Sequence, residues 1–323
     1  MEISIIIIAK NGARYIGDTL DMIFRQRISK KYEVTIIDSG SRDSTLEIAR
    51  RYPVKILEIP PDEFGHGFTR NQGARAANGE IVVFLNADAA PMDEHWLKSL
   101  VDNFENDNKV AGVYSRIYPR PNCNPLHSWE ILNEGSGGKK VKHIDDFDSY
   151  QRMKPREKRK FLAFQSVSCA INKSLLLKYP FENVEFGEDL EWAKRLLEKG
   201  FKIVFEPGSA VLHSHNFYYS FIETFKRYFD DTKFNNSLLG VWPRQKFLLL
   251  FGHTAHKILR DVKYIFALPK GIVYKTGWLV YSPIIRTAEL FGMIAGANSR
   301  YLPRKMQSSF SLVHEIKRGR LTL

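Results

Sequence analysis

Ile3-Ser4-Ile5-Ile6-Ile7-Ile8-Ala9-Lys10-Asn11-Gly12 opens the chain with a β-branched run that breaks at a polar, glycine-containing turn. A short apolar run with little alternation reads as a strand covered on both faces, the kind found inside a parallel sheet. Helix and strand signals then alternate. Tyr15 to Arg27 is helical, with Ile16, Leu20, Ile23 and Phe24 on one face, and Glu33 to Asp38 is a strand. Ser41-Arg42-Asp43-Ser44 starts a helix by capping chemistry, and Val54 to Ile59 is a third strand. A helix from Thr69 to Ala77 stops at Asn78-Gly79; Glu80 to Leu85 is a strand, Asp93 to Glu105 a helix and Val110 to Tyr114 a strand. This order predicts an α/β, Rossmann-like, mainly parallel sheet flanked by helices. Ligands of such sheets sit at the carboxyl ends of the strands, so Asp38 and Asp88 are expected on one rim.

Residues 119–160, rich in Pro, Gly and charge, read as loops. Order returns at Phe164 to Asn172, followed by a helix over Leu190 to Lys199 and a strand over Lys202 to Glu206. From Phe217 onward aromatic and aliphatic residues recur at helical spacing, with basic residues between them. The expected division is an α/β domain at 1–216 and a helical C-terminal region at 217–323. The second region is expected to serve acceptor, membrane-surface or homo-oligomer contacts.

The net charge of +12 fits nucleic acid, an anionic membrane surface or phosphorylated substrates. Zinc-finger spacing and RNA-binding signatures are lacking, and the acids cluster at strand ends, so nucleic acid is set aside. Two cysteines, Cys123 and Cys169, do not make a disulfide framework, and a reducing, cytoplasmic setting is expected. The N-terminus lacks the basic region of a signal peptide. The most apolar stretch, Tyr264 to Ala297, is interrupted by Lys270, Lys275 and Arg286, so attachment at the inner face of a membrane would be peripheral.

Four elements carry chemistry. Asp88, in Asn86-Ala87-Asp88-Ala89, ends a hydrophobic strand, where a carboxylate suits magnesium or manganese; a turn-forming Asp gives the same signal. Glu188 and Asp189 open a helix, where they either favour the helix dipole or position a general base. In His213-Ser214-His215-Asn216 alternate side chains point apart, so at most one of His213 and His215 faces a metal. Gly65-His66-Gly67-Phe68-Thr69-Arg70-Asn71 sets glycines and a cation before a helix, as a phosphate contact or a plain turn.

The order of these segments resembles the family-2 inverting glycosyltransferases. Ile5 to Gly12 is similar to the family's opening strand and nucleotide loop, and Asp38-Ser39-Gly40-Ser41-Arg42-Asp43-Ser44-Thr45 to its D-x-G-S-x-D-x-T segment. Gly65 to Ala74, Tyr118 to Pro125, Phe186 to Asp189, His213 to Asn216 and Tyr228-Phe229-Asp230-Asp231 most resemble bacterial rhamnosyltransferases of surface-polysaccharide assembly. The resemblance spans roughly residues 1–300. It implies the glycosyltransferase-A (GT-A) fold and transfer of a sugar, L-rhamnose from dTDP-rhamnose or another UDP- or dTDP-linked donor, to a lipid-linked or growing glycan.

It implies further that Ala9, Asn11, Asp38, Gly67, Arg70, Asn71, Asn86, Ala87 and Asp88 line the donor, with Asp38 reading the pyrimidine and Arg70 assisting the phosphates. Asp88 and one of His213 or His215 would hold Mg2+ or Mn2+, and Asp189, beside Glu188, would be the base. Asp43 is expected to cap a helix. The family's D-x-D motif, often Q-D-A in rhamnosyl members, is reduced here to the single carboxylate of Asp88. That departure implies weak metal binding without nucleotide, or a catalytically weak binding protein.

Overall fold

The computed structural model describes residues 2–184, 186–214, 220–240 and 247–317. Its first half follows the alternation read from the sequence: β1 (Ile3–Ala9), α1 (Ile16–Phe24), β2 (Tyr32–Asp38), α2 (Thr45–Ala49), β3 (Lys55–Glu58), α3 (His66–Ala76) and β4 (Ile81–Asn86). Next come β5 (Ala90–Pro91), α4 (Trp96–Val101) and β6 (Val110–Tyr118). β1 is central, parallel to β2 and β4, with Ile5 opposite both Val34 and Val83. Both of its faces are covered, so alternation is absent from its sequence.

Residues 119–160 are not all loops. They form α5 (Pro125–Glu134), β7 (Lys140–Lys142), α6 (Phe147–Arg152) and α7 (Pro155–Phe161). Pro119 and Pro121 precede α5, while Pro125 and Pro155 sit in the first turns of α5 and α7, where a missing N–H does no harm. The charges include caps: the Asp146 carboxylate accepts from the Asp148 amide at the start of α6. β8 (Ser168–Asn172), α8 (Lys173–Lys178), α9 (Glu188–Glu198) and β9 (Lys202–Leu212) complete the sheet.

The strand order is β3-β2-β1-β4-β8-β6-β9-β5, with β7 on β9. β8 runs antiparallel between β4 and β6. Ile3, Ile5, Ile7, Val83 and Leu85 pack against α1 and against Trp96, Leu97, Leu100 and Val101 of α4, giving one continuous core.

By compactness the chain divides into two units: Met1–Tyr118 with Gly135–His213, and Pro119–Glu134 with Ser214–Leu321. Residues 119–134 thus cluster with the C-terminal helices. That second unit holds α5, α10 (Phe221–Leu239), α11 (Phe247–Ala267), α12 (Ile272–Ala297), α13 (Arg304–Phe310) and α14 (Leu312–Lys317). Among the described residues no helix is long and apolar enough to cross a membrane.

The second unit is organised around a buried ion cluster. Arg286 makes a two-pronged contact with Asp261 (2.7 and 3.0 Å), reaches Glu130 of α5 (2.9 Å) and closes on Glu289. Lys257 bridges Glu289 (2.6 Å) and Glu130 (2.9 Å), and Arg260 lies over the Trp129 ring. Burial alone would lower the Arg286 pKa; the carboxylates of Glu289, Glu130 and Asp261 outweigh it and raise it further. Three acids and three bases balance, so the cluster pins α5 to α11 and α12 without a net buried charge.

Removing one member leaves its partners charged and buried. Arg286→Ala is expected to cost about 3–5 kcal/mol in chemical denaturation. A loss below about 1 kcal/mol would show that the helices hold together without the cluster.

Candidate functional site

The exits of β1 and β2 are laced together. Asp38 closes β2 and is 1% exposed. One of its oxygens accepts from the amides of Gly40 (2.9 Å) and Ser41 (2.8 Å), the other from the Ser41 hydroxyl. Ser41 in turn accepts from the Asn11 amide (2.8 Å), and Asn11 Oδ1 accepts from the Arg42 amide (2.8 Å). Asn11 adopts a left-handed φ of 51°, which Asn tolerates better than other side chains.

The Gly12 amide donates to Thr45 (2.7 Å) and the Ala13 amide to Asp43 (3.0 Å). Asp43 also accepts from the amide of Thr45 (3.1 Å), the first residue of α2, and lies one residue before the N-cap, Ser44. Burial opposes the charge on Asp43, but bonds from Thr45 and Ala13 outweigh it and hold the pKa below the ordinary carboxylate value. Asp38, expected on a base, has its carboxylate engaged in shaping its own loop.

β4 ends beside these loops. The Ala87 amide donates to Ile8 (3.2 Å), the Thr19 hydroxyl donates to the Ala87 carbonyl (3.0 Å), and a turn from the Ala89 amide to the Asn86 carbonyl projects Asp88. The short pairing of β5 with β9 sets Ala90 opposite Leu212, one residue before His213. Antiparallel register then brings Asp88 and His213 together, with Oδ1 and Nδ1 3.2 Å apart. His213 is buried and its backbone amide is held by the Tyr118 carbonyl (2.9 Å). His215 lies outside the described residues.

Among the described residues no three His, Cys, Asp or Glu side chains form a self-sufficient metal cluster. A carboxylate and an imidazole side by side nevertheless fit a hard divalent cation that takes its other ligands from phosphate and water.

The third component lies on α9. Gly187 precedes it at φ 72°, a conformation that favours glycine, and starts the helix at Glu188. Glu188 points inward to Arg70, with Nη1 2.6 Å from Oε1; Arg70 is 2% exposed. Arg70 Nη2 extends toward Asn86 Oδ1 (3.4 Å) and the Ser166 carbonyl (3.5 Å). Asp189 keeps part of its surface open and accepts from the Ser166 amide (3.1 Å) and hydroxyl (3.2 Å). Burial of the carboxyl, reinforced by the Glu188 charge, raises the Asp189 pKa despite the opposing Ser166 bond and Arg70 charge.

Three residues expected at the donor also serve the fold. Arg70 closes on Glu188. Asn71 clamps the backbone of Phe181 from both ends of its amide (2.8 and 3.0 Å). Gly67 lies so close to residues 181–188 that a Cβ there would sit 2.9 Å from the Glu182 carbonyl oxygen. These residues fix the segment that carries Glu188 and Asp189. Ser166 was missed in the sequence; its one signal is a hydroxyl just before the apolar strand Ser168–Asn172, beside the end of β4.

The chain is similar to known proteins. The model of glycosyl transferase family 2 matches residues 4–179. The O-antigen chain rhamnosyltransferase WbaN of Salmonella anatum is 33% identical over 90% of this chain and 87% of its own. RfbN of Salmonella typhimurium, likewise named an O-antigen chain rhamnosyltransferase, is 30% identical over 97% of this chain and 95% of its own.

Among solved structures, the mannosyltransferase PcManGT of Pyrobaculum calidifontis, in complex with GDP-Man and Mn2+, superposes with a TM-score of 0.54 at 16% identity, covering 93% of this chain and 86% of its own. TarS of Staphylococcus aureus with UDP-GlcNAc gives 0.51 at 14% identity, over 93% and 92%. The fold is GT-A, as expected.

The raised pKa of Asp189 has a signed consequence. A carboxyl whose folded pKa lies above its unfolded value favours the fold at low pH, and that contribution fades as pH rises through the folded pKa. Asp189→Asn should therefore gain in melting temperature relative to the parent as pH rises from about 4 to 8. A difference that stays constant, or shrinks, over that range would contradict the raised pKa.

Proposed function

The chain belongs to glycosyl transferase family 2 and is a glycosyltransferase, and from that premise we propose that it transfers L-rhamnose from dTDP-rhamnose, with inversion, to a hydroxyl of a growing or lipid-linked glycan. The observation that carries the chemistry is the placement of two groups about the end of β4. Asp88 follows that strand and meets His213 at the end of β9, and Asp189 is held by Ser166 just before the paired strand β8. The two long Salmonella relatives support the choice of rhamnose and of a polysaccharide acceptor.

In this reading Asp189 takes the acceptor proton as the acceptor oxygen bonds to the anomeric carbon. The bond from that carbon to the diphosphate oxygen breaks, and the electron pair leaves with the nucleoside diphosphate. A carboxylate of raised pKa suits the task, since a base works best near the operating pH. Asp88 and His213 are the residues that would hold Mg2+ or Mn2+. The cation, when bound, supplies positive charge against the diphosphate. Arg70 and Glu188 act as positioning residues: they fix Asp189 and do not meet the donor. The laced loops from Asn11 to Ala13 and from Asp38 to Thr45 form the wall for the nucleoside, with Asp38 holding that wall in shape. Mn2+ and nucleotide sugars in the solved relatives support a metal and a donor of this class.

Ligands that bind the native state raise its melting temperature. dTDP with Mn2+ should stabilise the protein more than either alone. Asp88→Ala and His213→Ala should each remove the metal-dependent part while leaving a response to nucleotide. Asp189→Asn should keep the donor response and lose about 10²–10⁴-fold in turnover with dTDP-rhamnose. Near-normal turnover by Asp189→Asn would overturn the base assignment, and a larger response to UDP-sugars than to dTDP-rhamnose would overturn the donor.

A further inference from the structure

The charge is unevenly placed. The second unit, residues 119–134 and 214–321, contains 18 Lys and Arg against 8 Asp and Glu, so it carries ten of the twelve net positive charges. Its buried acids are satisfied internally: Asp261 and Glu289 are in the ion cluster, and Asp230 accepts from the amides of Leu312 and Val313. From residue 262 to 314 the sequence has one carboxylate, the buried Glu289.

Within that stretch α11 and α12 meet in a tight turn, 268–271, closed by the Lys270 amide on the Leu268 carbonyl (2.8 Å). The turn is rigidly presented. Lys275 Nζ donates to the Phe266 carbonyl (2.8 Å), capping the end of α11. Its apolar side chains are nonetheless bare: Phe266 is 57% exposed, Ile272 71% and Val273 85%. Tyr274, Trp278 and Tyr281 follow as an aromatic ladder, with ring centroids 6.3 and 5.8 Å apart. Lys263 and Lys270 are exposed at the same tip, and Lys270 stands over the Tyr274 ring at 5.8 Å.

We propose that the tip of the α11–α12 hairpin docks peripherally on an anionic lipid bilayer. Phe266, Ile272 and Val273 enter the interface between headgroups and acyl chains. Lys263 and Lys270 meet the lipid phosphates, and the Tyr274–Trp278 rings lie at headgroup level. Apolar residues beside lysines and aromatic rings match the layered chemistry of that interface. A second copy of the chain is the poorer occupant, because two-fold pairing through this tip would set one strongly basic unit against its equal. Nucleic acid would engage the lysines and leave the aliphatic side chains in water. The inference stands apart from the donor and the base, since bilayer binding is read without turnover.

The test is co-sedimentation of the full chain with vesicles of phosphatidylcholine alone or with about one third phosphatidylglycerol, at low and high salt. The parent protein should pellet with the anionic vesicles and progressively less as salt rises. Ile272→Asn with Val273→Asn should weaken binding at least about tenfold. Lys263→Gln with Lys270→Gln should weaken the preference for anionic lipid.

Both pairs are solvent-exposed, so each variant should melt as the parent does and keep its response to dTDP and Mn2+. The binding of the unaltered chain decides the proposal even if a variant folds poorly. A parent protein that stays in the supernatant at low salt overturns it. So does unchanged vesicle binding by a folded Ile272→Asn/Val273→Asn variant, including one in which size-exclusion shows a dimer lost instead.

Discussion

Arg70, sealed beneath the strand ends and closed on Glu188 at 2.6 Å, fixes where the later part of the first unit meets the earlier. The two residues stand 118 positions apart. One belongs to α3 behind the parallel strands, the other to the first turn of α9. Removing two charges from water is expensive, and an apolar pair of equal volume often serves stability as well. What an apolar pair does not supply is a lasting negative charge next to Asp189. Burial disfavours the Asp189 carboxylate, and the neighbouring Glu188 charge pushes the same way. The pair thus does two things: it sets the position of α9 and tunes the proton affinity of the neighbouring acid.

The sheet was legible because its strands are apolar and their punctuation is local. Ile3 to Ala9, followed by Lys10-Asn11-Gly12, is a buried strand and its exit on any reading of side-chain chemistry. The rim was legible too, since strand ends in an α/β sheet are where ligands bind. The spacing of Asp88 from His213 was not, because it comes from the two-residue strand β5 and its register on β9. Gly67, Arg70 and Asn71 have a second role that the sequence did not announce, because a glycine and a cation at a helix start suit a phosphate and a distant chain segment equally well. Only the fold reveals that Phe181 and Glu188 occupy that place. Residues 119–160 misled because prolines and charges mark helix beginnings as well as breaks.

The overall charge of +12 left nucleic acid, membrane and phosphorylated substrates equally open. Division of the chain into two units separates the question. The unit bearing Asp88 and Asp189 is close to neutral in sequence, while the helical unit carries nearly all of the excess. Three of its eight acids, Glu130, Asp261 and Glu289, are paired internally with Arg286, Lys257 and Arg260, so the excess of cations over the remaining acids sets the character of its surface.

The lacing of Asn11, Gly12 and Ala13 to Ser41, Thr45 and Asp43 also bears on time. Under the proposed function these loops wall the nucleoside, and segments already tied to one another have little configurational freedom left to surrender on binding. Arrival is then governed by diffusion and orientation rather than by waiting for a wall to assemble. Differences in residence among nucleotides would arise mainly in how quickly each one escapes.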